Sequence, residues 1–255
     1  MPMVRAIRML NSIEAGITDG AALQTLLADA GRLAEFKVML QMRAYVRRMT
    51  AAPTTMAAIF GSARASEAFF AADSYVGKGM ETVIGVTDPA LAALPTLAGV
   101  AASSTAMASV AANTVIMAGI ASSRTAKTTI FDYDVALNAI AASATALAAC
   151  RSAAGYAVQA WTENNTTSVS LPLTGAKYIV LGASKAAAGS ARNYTVYTRR
   201  SGSTISATTP VISPAQTGTT ATDVNMAIPI VGPYSAASVS AGTTAAYLGL
   251  LRCDI

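Results

Sequence analysis

Hydrophobic residues recur every ten positions between residues 90 and 150, and alanine, serine and threonine fill most of the space between them. Each block of ten opens on an apolar residue, and a second apolar residue follows seven positions later in every block but one, which has a lysine. The opening positions are Val100, Val110, Ile120, Ile130, Ile140 and Cys150, and the later positions are Leu97, Met107, Met117, Lys127, Leu137 and Leu147. Such self-similarity at a fixed period is typical of repeat architectures.

A single straight helix does not fit this period. An α-helix advances about 100° per residue, so ten residues leave an apolar stripe about 80° short of three full turns. In one continuous helix this offset would add up from block to block, and the apolar stripe would move around the helix. If each block forms its own short helix, the apolar residues can face the same side in every block. Residues that favour helix N-caps recur near the third position of each block: Ser103, Asn113, Ser123, Asp132 and Ser143. The pattern therefore predicts a staircase of short helices.

Helices of this length are unstable alone in water, so neighbouring blocks or neighbouring chains must pack against them. We predict that the apolar positions form the seam of an oligomer, in which the small residues let helices approach closely. The seam residues are Leu97, Val100, Met107, Val110, Met117, Ile120, Leu137, Ile140 and Leu147. Lys127 and the segment 131–134 depart from the repeat and indicate a bend, or a contact with another part of the fold.

The first eighty residues also have helical periodicity. The apolar positions predict a short N-terminal helix and then one long helix from about residue 21 to residue 49, with Asp19 as its N-cap. Arg43, Arg47 and Arg48 lie near its end, where the helix dipole favours cations. They form either a basic surface that docks on a partner protein or a solvated helix end.

From about residue 164, alternation of β-branched and polar residues replaces the ten-residue period. Strands are predicted over residues 177–181, 193–198, 204–208, 224–231 and 245–251. Several short strands in so short a stretch are typical of an antiparallel β-sandwich or jelly roll. Tyr194, Tyr197 and Tyr234 could form a carbohydrate-stacking surface at the tip of this domain, or could belong to its core.

The composition indicates a protein whose surface is largely covered by other chains. The 255 residues are 53% hydrophobic but only 12% charged, whereas soluble domains are typically about a quarter charged. No apolar run is long enough to span a membrane, and the N-terminus lacks the apolar core of a signal peptide, so we expect no secretion. The net charge of +5 comes from the two ends of the chain, without the dense basic run that binds nucleic acid.

Histidine, a residue type on which much enzymatic chemistry depends, is missing from the sequence. Its absence excludes His-based triads and most zinc sites, and the chain has no phosphate-binding loop. Asp132 and Asp134 could recruit a cation, but two carboxylates without further ligands make a weak site. Cys150 and Cys253 are interpreted as buried thiols, with a disulfide as the alternative. We therefore predict no enzyme, no metal and no cofactor.

Several stretches resemble a known family of repeats. The blocks VAASSTAMAS and IAASATALAA, with MTAAPTTMAAI upstream, are similar to the Ala-Ser-Ser/Pro-Thr-Ala-Met repeats of virion appendage proteins of tailed bacteriophages. The stretch GAALQTLLADAGRLAEFKVMLQMRAYVRRMTAAPTTM resembles the segment that precedes those repeats. The resemblance covers roughly residues 9–150. It implies a structural, fibre-like protein with a particle-bound N-terminal part, a repeated stalk and a distal β-domain.

The combined expectation is an α+β chain with a helical virion-attachment region over 1–80, a repeat stalk of short helices over 81–160 and a β-sandwich over 161–255. We expect a homo-oligomer, most simply a homotrimer, that is assembled in the host cytoplasm into the virion as a tail, baseplate or collar fibre. Its partners would be copies of itself, other virion proteins and a host-surface glycan or protein, without nucleic acid or membrane. The alternatives are a capsid-decoration or tail-adaptor protein, and a bacterial surface adhesin module, which the missing secretion signal disfavours.

Overall fold

The computed structural model describes residues 4–5, 7–9, 11–12, 19–85, 89–162, 168–170, 176–185, 192–198, 206–208, 211–212, 219–231, 235–238 and 245–255. Contacts within the chain divide it into two compact units, Met1–Ala136 and Leu137–Ile255. The boundary between the units lies at neither of the predicted boundaries near residues 80 and 160. Helices on both sides of residue 80 belong to the first unit. The division by role into attachment region, stalk and distal domain stays a prediction.

Short helices form the first unit and lead into the second. In chain order they are α1 (Gly20–Leu26), α2 (Ala30–Leu40), α3 (Arg43–Met49), α4 (Pro53–Phe60), α5 (Ala63–Ala72), α6 (Val76–Ile84), α7 (Pro89–Ala92), α8 (Leu97–Ala102), α9 (Ser104–Ala111), α10 (Thr114–Ser122), α11 (Arg124–Ile130), α12 (Asp134–Ala142) and α13 (Ala144–Arg151). Residues 4–5, 7–9 and 11–12 are helical as well. The prediction that each ten-residue block folds as its own short helix is confirmed for α8 to α13.

Side-chain caps separate the repeat helices. Ser103, Asn113, Ser123 and Ser143 have extended backbone angles, and the side-chain oxygen of each accepts a hydrogen bond from the backbone N–H three residues later. That N–H has no partner inside its own helix, so the cap satisfies it. These four predicted caps are confirmed.

The cap predicted at Asp132 is wrong. α12 begins at Asp134, so the residue before it is Tyr133, and Asp132 lies one position further back. Tyr133 keeps the ten-residue spacing of the helix breaks, whereas Asp132 does not. The period of the breaks therefore holds even in the block that lacks a serine or asparagine at the third position. Asp134 lies in the first turn of α12, where the helix dipole favours a negative charge.

The long helix predicted over residues 21–49 is also wrong, because α1, α2 and α3 occupy this stretch. Asp29 starts α2 by accepting a 2.8 Å hydrogen bond from the backbone N–H of Arg32. Met42 is extended before α3, and the same break recurs at Ala52 and Ser62. Since these last three breaks are ten residues apart, the short-helix period begins well before residue 90.

The repeat helices pack against helices from the preceding part of the chain. α10 contacts α4 and α5, and α11 contacts α5 and α8. Phe60 of α4 lies at the centre, with its ring centroid 5.7 Å from those of Phe69 and Phe70. A Cβ atom on Gly119 of α10 would lie 3.0 Å from the Phe60 ring, so glycine lets α10 approach closely. The repeat up to residue 136 thus shares a core with the earlier helices.

The second unit contains the strands. They are β1 (Tyr156–Thr162), β2 (Ser168–Ser170), β3 (Lys177–Lys185), β4 (Arg192–Thr198), β5 (Ser206–Thr208), β6 (Val211–Ile212), β7 (Val224–Val231), β8 (Ser235–Ser238) and β9 (Ala245–Arg252). An antiparallel four-stranded sheet has the order β1-β9-β3-β7. In a second set of antiparallel pairings the order is β2-β8-β4-β5, with β6 beside β4. Each predicted strand overlaps an observed one, and the α+β class is confirmed.

Candidate functional site

The apolar positions of the repeat lie inside the single chain. All nine predicted seam residues are at most 2% exposed. Neighbouring parts of the same chain already cover them, so a second copy is not needed to bury these side chains. A seam between chains at these positions stays a prediction. The sequence reading missed a third buried position in each block, formed by Ala106, Ile116, Ala126, Ala136 and Ala146.

That third position carried a signal in the sequence. Four of its five residues are alanine, and each comes one residue before the Met, Leu or Lys of the block. Alanine is too common in this chain to stand out by type, so only the strict spacing could have identified it. A helix that buries alanine there approaches its neighbour more closely than a larger side chain would allow.

The opposite face of the repeat is exposed and consists mostly of small residues. Exposed positions recur two and four residues after the start of each block, and also eight residues after it except at Thr128, which is partly exposed. They include Ala102, Ser104, Ala108, Ala112, Thr114 and Ala118 in the first unit and Ala142, Ala144 and Ala148 in the second. We call the six residues of the first unit the outer ladder. Val115 beside it is 38% exposed. Side chains of this size let another backbone come close, which suits a structural surface better than a ligand pocket.

Glu67 of α5 anchors the start of α11 through hydrogen bonds. Its carboxylate accepts hydrogen bonds from the Ser123 hydroxyl at 2.6 Å, the Thr125 hydroxyl at 2.6 Å and the Thr125 backbone N–H at 3.0 Å. Burial raises the pKa of the Glu67 carboxyl, but these hydrogen bonds outweigh burial, and the net pKa lies below its ordinary value. Glu67 is therefore a carboxylate that stabilises the fold.

Lys127 occupies the Met/Leu position of its block and is only 2% exposed. The sequence prediction of a contact with another part of the fold agrees with this burial. A bend at the segment 131–134 is not needed to explain it, since α12 continues the ten-residue spacing. Asp132 and Asp134 are exposed, and in the part of the chain that the structure describes no group of three potential metal ligands is found.

The three arginines predicted to dock on a partner lie together on α3, a helix of seven residues that has no acidic side chain. Arg43, Arg47 and Arg48 are all exposed. Arg43 Nε donates a 2.7 Å hydrogen bond to the hydroxyl of Tyr75, which fixes that guanidinium against α6. The structure thus places the three cations on one short helix as exposed side chains, and their docking role stays a prediction.

The predicted tip tyrosines lie mostly outside the described residues. Tyr194 and Tyr197 belong to β4 by their backbone, but their side chains and the whole of Tyr234 are outside the described part. Cys150 and Cys253 are buried thiols that are not joined in a disulfide. No single helix among the described residues is long and apolar enough to cross a membrane, although the bent pair α9 and α10 passes that test of length and composition together.

Arg151, at the end of α13, forms hydrogen bonds to the sheet where the pairing register of β3 shifts. The register of β3 shifts between Val180 and Gly182 in its pairing with both neighbours. Arg151 Nη2 donates hydrogen bonds to the Leu181 carbonyl at 2.9 Å and to Asn225 Oδ1 at 2.8 Å. The guanidinium therefore compensates the ladder bond that the register shift disrupts.

Comparison with models of known protein families finds no match, and comparison with curated proteins finds no match either. The repeat and its geometry are therefore the basis of the functional proposal.

Proposed function

We propose that this chain is a non-enzymatic structural protein of a tailed-bacteriophage virion, a homo-oligomeric component of a tail, baseplate or collar fibre. The observation that carries the proposal is the ten-residue period of capped short helices, which buries one face and exposes another in every block. This is the same period that gives the resemblance to phage appendage repeats. A chain in which small residues cover the exposed face is suited to close packing with other copies.

The outer ladder is the surface through which we propose that copies associate. The apolar seam residues are already buried within one chain, so exchanging them between chains would require the fold to open. The outer ladder needs no such rearrangement. In this proposal the repeat serves as a spacer, the two sets of strands form a β-sandwich at the distal end, and that end contacts the host surface.

A second candidate is a capsid-decoration or tail-adaptor protein without receptor binding. The observation that favours it is the shared core of α4, α5, α10 and α11, because a repeat that packs on the preceding helices makes a compact body more readily than a long spacer. Labelling each end of the chain and locating the labels by electron microscopy on intact particles distinguishes the candidates. A β-rich end that points away from the particle favours the fibre, and one that lies against the particle favours the adaptor.

The central test is the composition of purified particles. We expect mass spectrometry of gradient-purified virions to find the chain at a fixed ratio to the major capsid protein. The number of copies per particle should be a multiple of the number of chains in one fibre. Recovery of the chain only in the particle-free fraction of the lysate would reject the proposal. Sedimentation of the isolated full-length chain tests assembly separately: a compact monomer across micromolar concentrations contradicts a stable homo-oligomer.

A further inference from the structure

An open groove of about 370 Å³ lies between α1, α2 and α5 in the first unit. Its volume falls within the range of small-ligand sites. Gln24, Leu33, Lys37, Arg64, Glu67 and Ala68 line it. Leu33 and Ala68 contribute apolar surface, and the other four side chains are polar or charged, so the chemistry of a ligand depends on which polar groups are still available.

The hydrogen-bond acceptors in this groove are already occupied. The Glu67 carboxylate accepts three hydrogen bonds from Ser123 and Thr125. The side-chain oxygen of Gln24 accepts two more, each 2.9 Å long, from the Ser62 hydroxyl and from the backbone N–H of Arg64. A ligand that offers hydrogen-bond donors would therefore find these oxygens engaged.

The donors, in contrast, are available. Arg64 Nη1 makes one long contact of 3.4 Å to the backbone carbonyl of Gln24. Lys37 is exposed on α2, and neither Lys37 nor Arg64 forms an ion pair with any carboxylate among the described residues. An exposed ammonium and guanidinium that both face one groove favour an anionic ligand, and a guanidinium can hold a carboxylate through two parallel hydrogen bonds.

We propose that this groove binds the carboxylate of an acidic side chain from a partner protein, with Lys37 and Arg64 as its ligands and Leu33 and Ala68 as the floor for its methylene groups. The formal charge of the groove is +1, from two cations and the Glu67 anion, which suits a single carboxylate, such as one side chain of an acidic peptide. No aromatic side chain lines it, so it offers no stacking platform for the bases of a nucleic acid. The inference holds whether or not the chain is a virion component.

The test uses the full-length chain and a tetraglutamate peptide that carries an uncharged fluorophore, with tetraglutamine bearing the same fluorophore as the neutral probe. Fluorescence anisotropy at low salt should show saturable binding of tetraglutamate and none of tetraglutamine. The double variant Lys37→Gln/Arg64→Gln should weaken binding by about tenfold or more, since hydrogen bonds between charged groups are stronger than those between neutral groups. The matched control Arg5→Gln/Arg8→Gln removes the same charge from two exposed side chains that do not line the groove and should change the affinity by less than about twofold, since charges outside the groove are screened by salt.

Other outcomes overturn the inference. Equal weakening by the two double variants would mean that the whole basic surface attracts the peptide, and no tetraglutamate binding at millimolar concentration would mean that the groove is not an anion site. Tighter binding of a single-stranded tetranucleotide, lost in the Lys37→Gln/Arg64→Gln variant, would identify a nucleic-acid site instead. Circular dichroism and the melting temperature verify that both variants fold, and each substitution is at an exposed side chain.

Discussion

The carboxylate of Glu67 accepts a 2.6 Å hydrogen bond from the hydroxyl of Ser123, a residue 56 positions later in the chain. The same hydroxyl accepts a hydrogen bond of 3.1 Å from the backbone N–H of Ala126. Ser123 is therefore both the cap of its own helix and the anchor of that helix to α5. Ser123 is fully buried, at 0% exposure, whereas the caps Ser103, Asn113 and Ser143 are partly exposed. Its hydroxyl proton therefore needs a partner inside the fold, and Glu67 supplies it.

Acid should destabilise the first unit through Glu67. Its pKa is lowered in the folded chain, so its contribution to stability is complete above the ordinary glutamate pKa of about 4.3 and is lost as the pH falls through the lower folded value. We expect the free energy of unfolding, measured by urea denaturation, to fall more steeply below pH 4.3 in the native chain than in the Glu67→Gln variant. Identical pH profiles for the two proteins would contradict this.

A second variant removes one hydrogen bond to Glu67 without changing Glu67 itself. Thr125→Val removes the 2.6 Å donor to Glu67 but leaves the carboxylate in place and keeps the shape of the side chain at 125. Because a hydrogen bond to the charged form lowers a carboxyl pKa, the pH dependence of unfolding should become weaker than in the native chain. A steeper dependence in Thr125→Val would mean that hydrogen bonds from Thr125 do not set this pKa.

The inner and outer faces of the repeat should respond in opposite ways to a new charge. Met107 and Met117 are fully buried, so Met107→Asp and Met117→Asp should each destabilise the fold by about 4 kcal/mol or more, since the chain must bury an unpaired carboxylate. Ser104 and Thr114 are exposed and begin their helices. Aspartate there faces the positive end of the helix dipole and should be neutral, or stabilising by about 0.3–1 kcal/mol.

Thermal denaturation followed by circular dichroism measures this difference. If Ser104→Asp and Thr114→Asp reduce stability as much as the methionine substitutions do, the buried face has been assigned wrongly. Sedimentation of the same four variants tests the outer ladder. A charge at Ser104 or Thr114 that leaves the fold intact but dissociates the oligomer would support association through this face.

Loss of a cap should affect stability according to what else the cap contacts. Ser103→Ala removes the hydroxyl that accepts from the Ala106 N–H at 3.3 Å, and such a loss typically costs about 1 kcal/mol. Ser123→Ala also leaves Glu67 without one donor, so its effect should be clearly larger. Urea denaturation of the two variants gives the comparison, and equal losses would mean that the bond between Ser123 and Glu67 contributes little.

The short repeat helices could be predicted from the sequence because their cause is local. A mismatch between ten residues and the turn of an α-helix, together with cap residues such as Ser103 and Asn113, determines where each helix begins. The break at Ala52 is local as well, because Pro53 follows it and disfavours a helical backbone at the residue before it. The break at Met42 could not be predicted in this way, because Met42 makes no side-chain cap bond and no proline follows it.

The partner of the buried face could not be predicted either. Periodicity identified Met107 and Met117 as buried, but it carries no information about which surface covers them. The pairing of α10 with α4 and of α11 with α5 joins residues far apart in sequence, as does the contact between Glu67 and Ser123. The groove beside Glu67 depends on the same non-local packing, which is why the cations Lys37 and Arg64 had no significance in the sequence alone.

Removal of the Arg151 guanidinium should destabilise the second unit. In Arg151→Ala the Leu181 carbonyl and the Asn225 side chain both lose a donor, and the loss of a hydrogen bond to a charged group costs about 1.5–3 kcal/mol. Arg151→Lys keeps the charge at the end of α13 but offers no planar fork to two acceptors, so its stability should lie between those of the native and alanine proteins. A lysine variant as unstable as alanine would mean that the charge contributes nothing.

Two glycines at helix boundaries, Gly20 and Gly61, bring their backbones close together in the first unit. A Cβ atom on Gly20 would overlap the backbone carbon of Gly61, which no rotamer change relieves. Gly20→Ala should therefore destabilise the fold by about 1–3 kcal/mol, the usual cost of overpacking. Gly31→Ala is the matched control, because the nearest atom to its Cβ is the side-chain oxygen of Asp29 at 3.1 Å, and a small shift of this oxygen relieves the contact while it still accepts from the Arg32 N–H. If the two substitutions reduce the free energy of unfolding equally, the contact between α1 and the break after α4 is not tightly packed in solution.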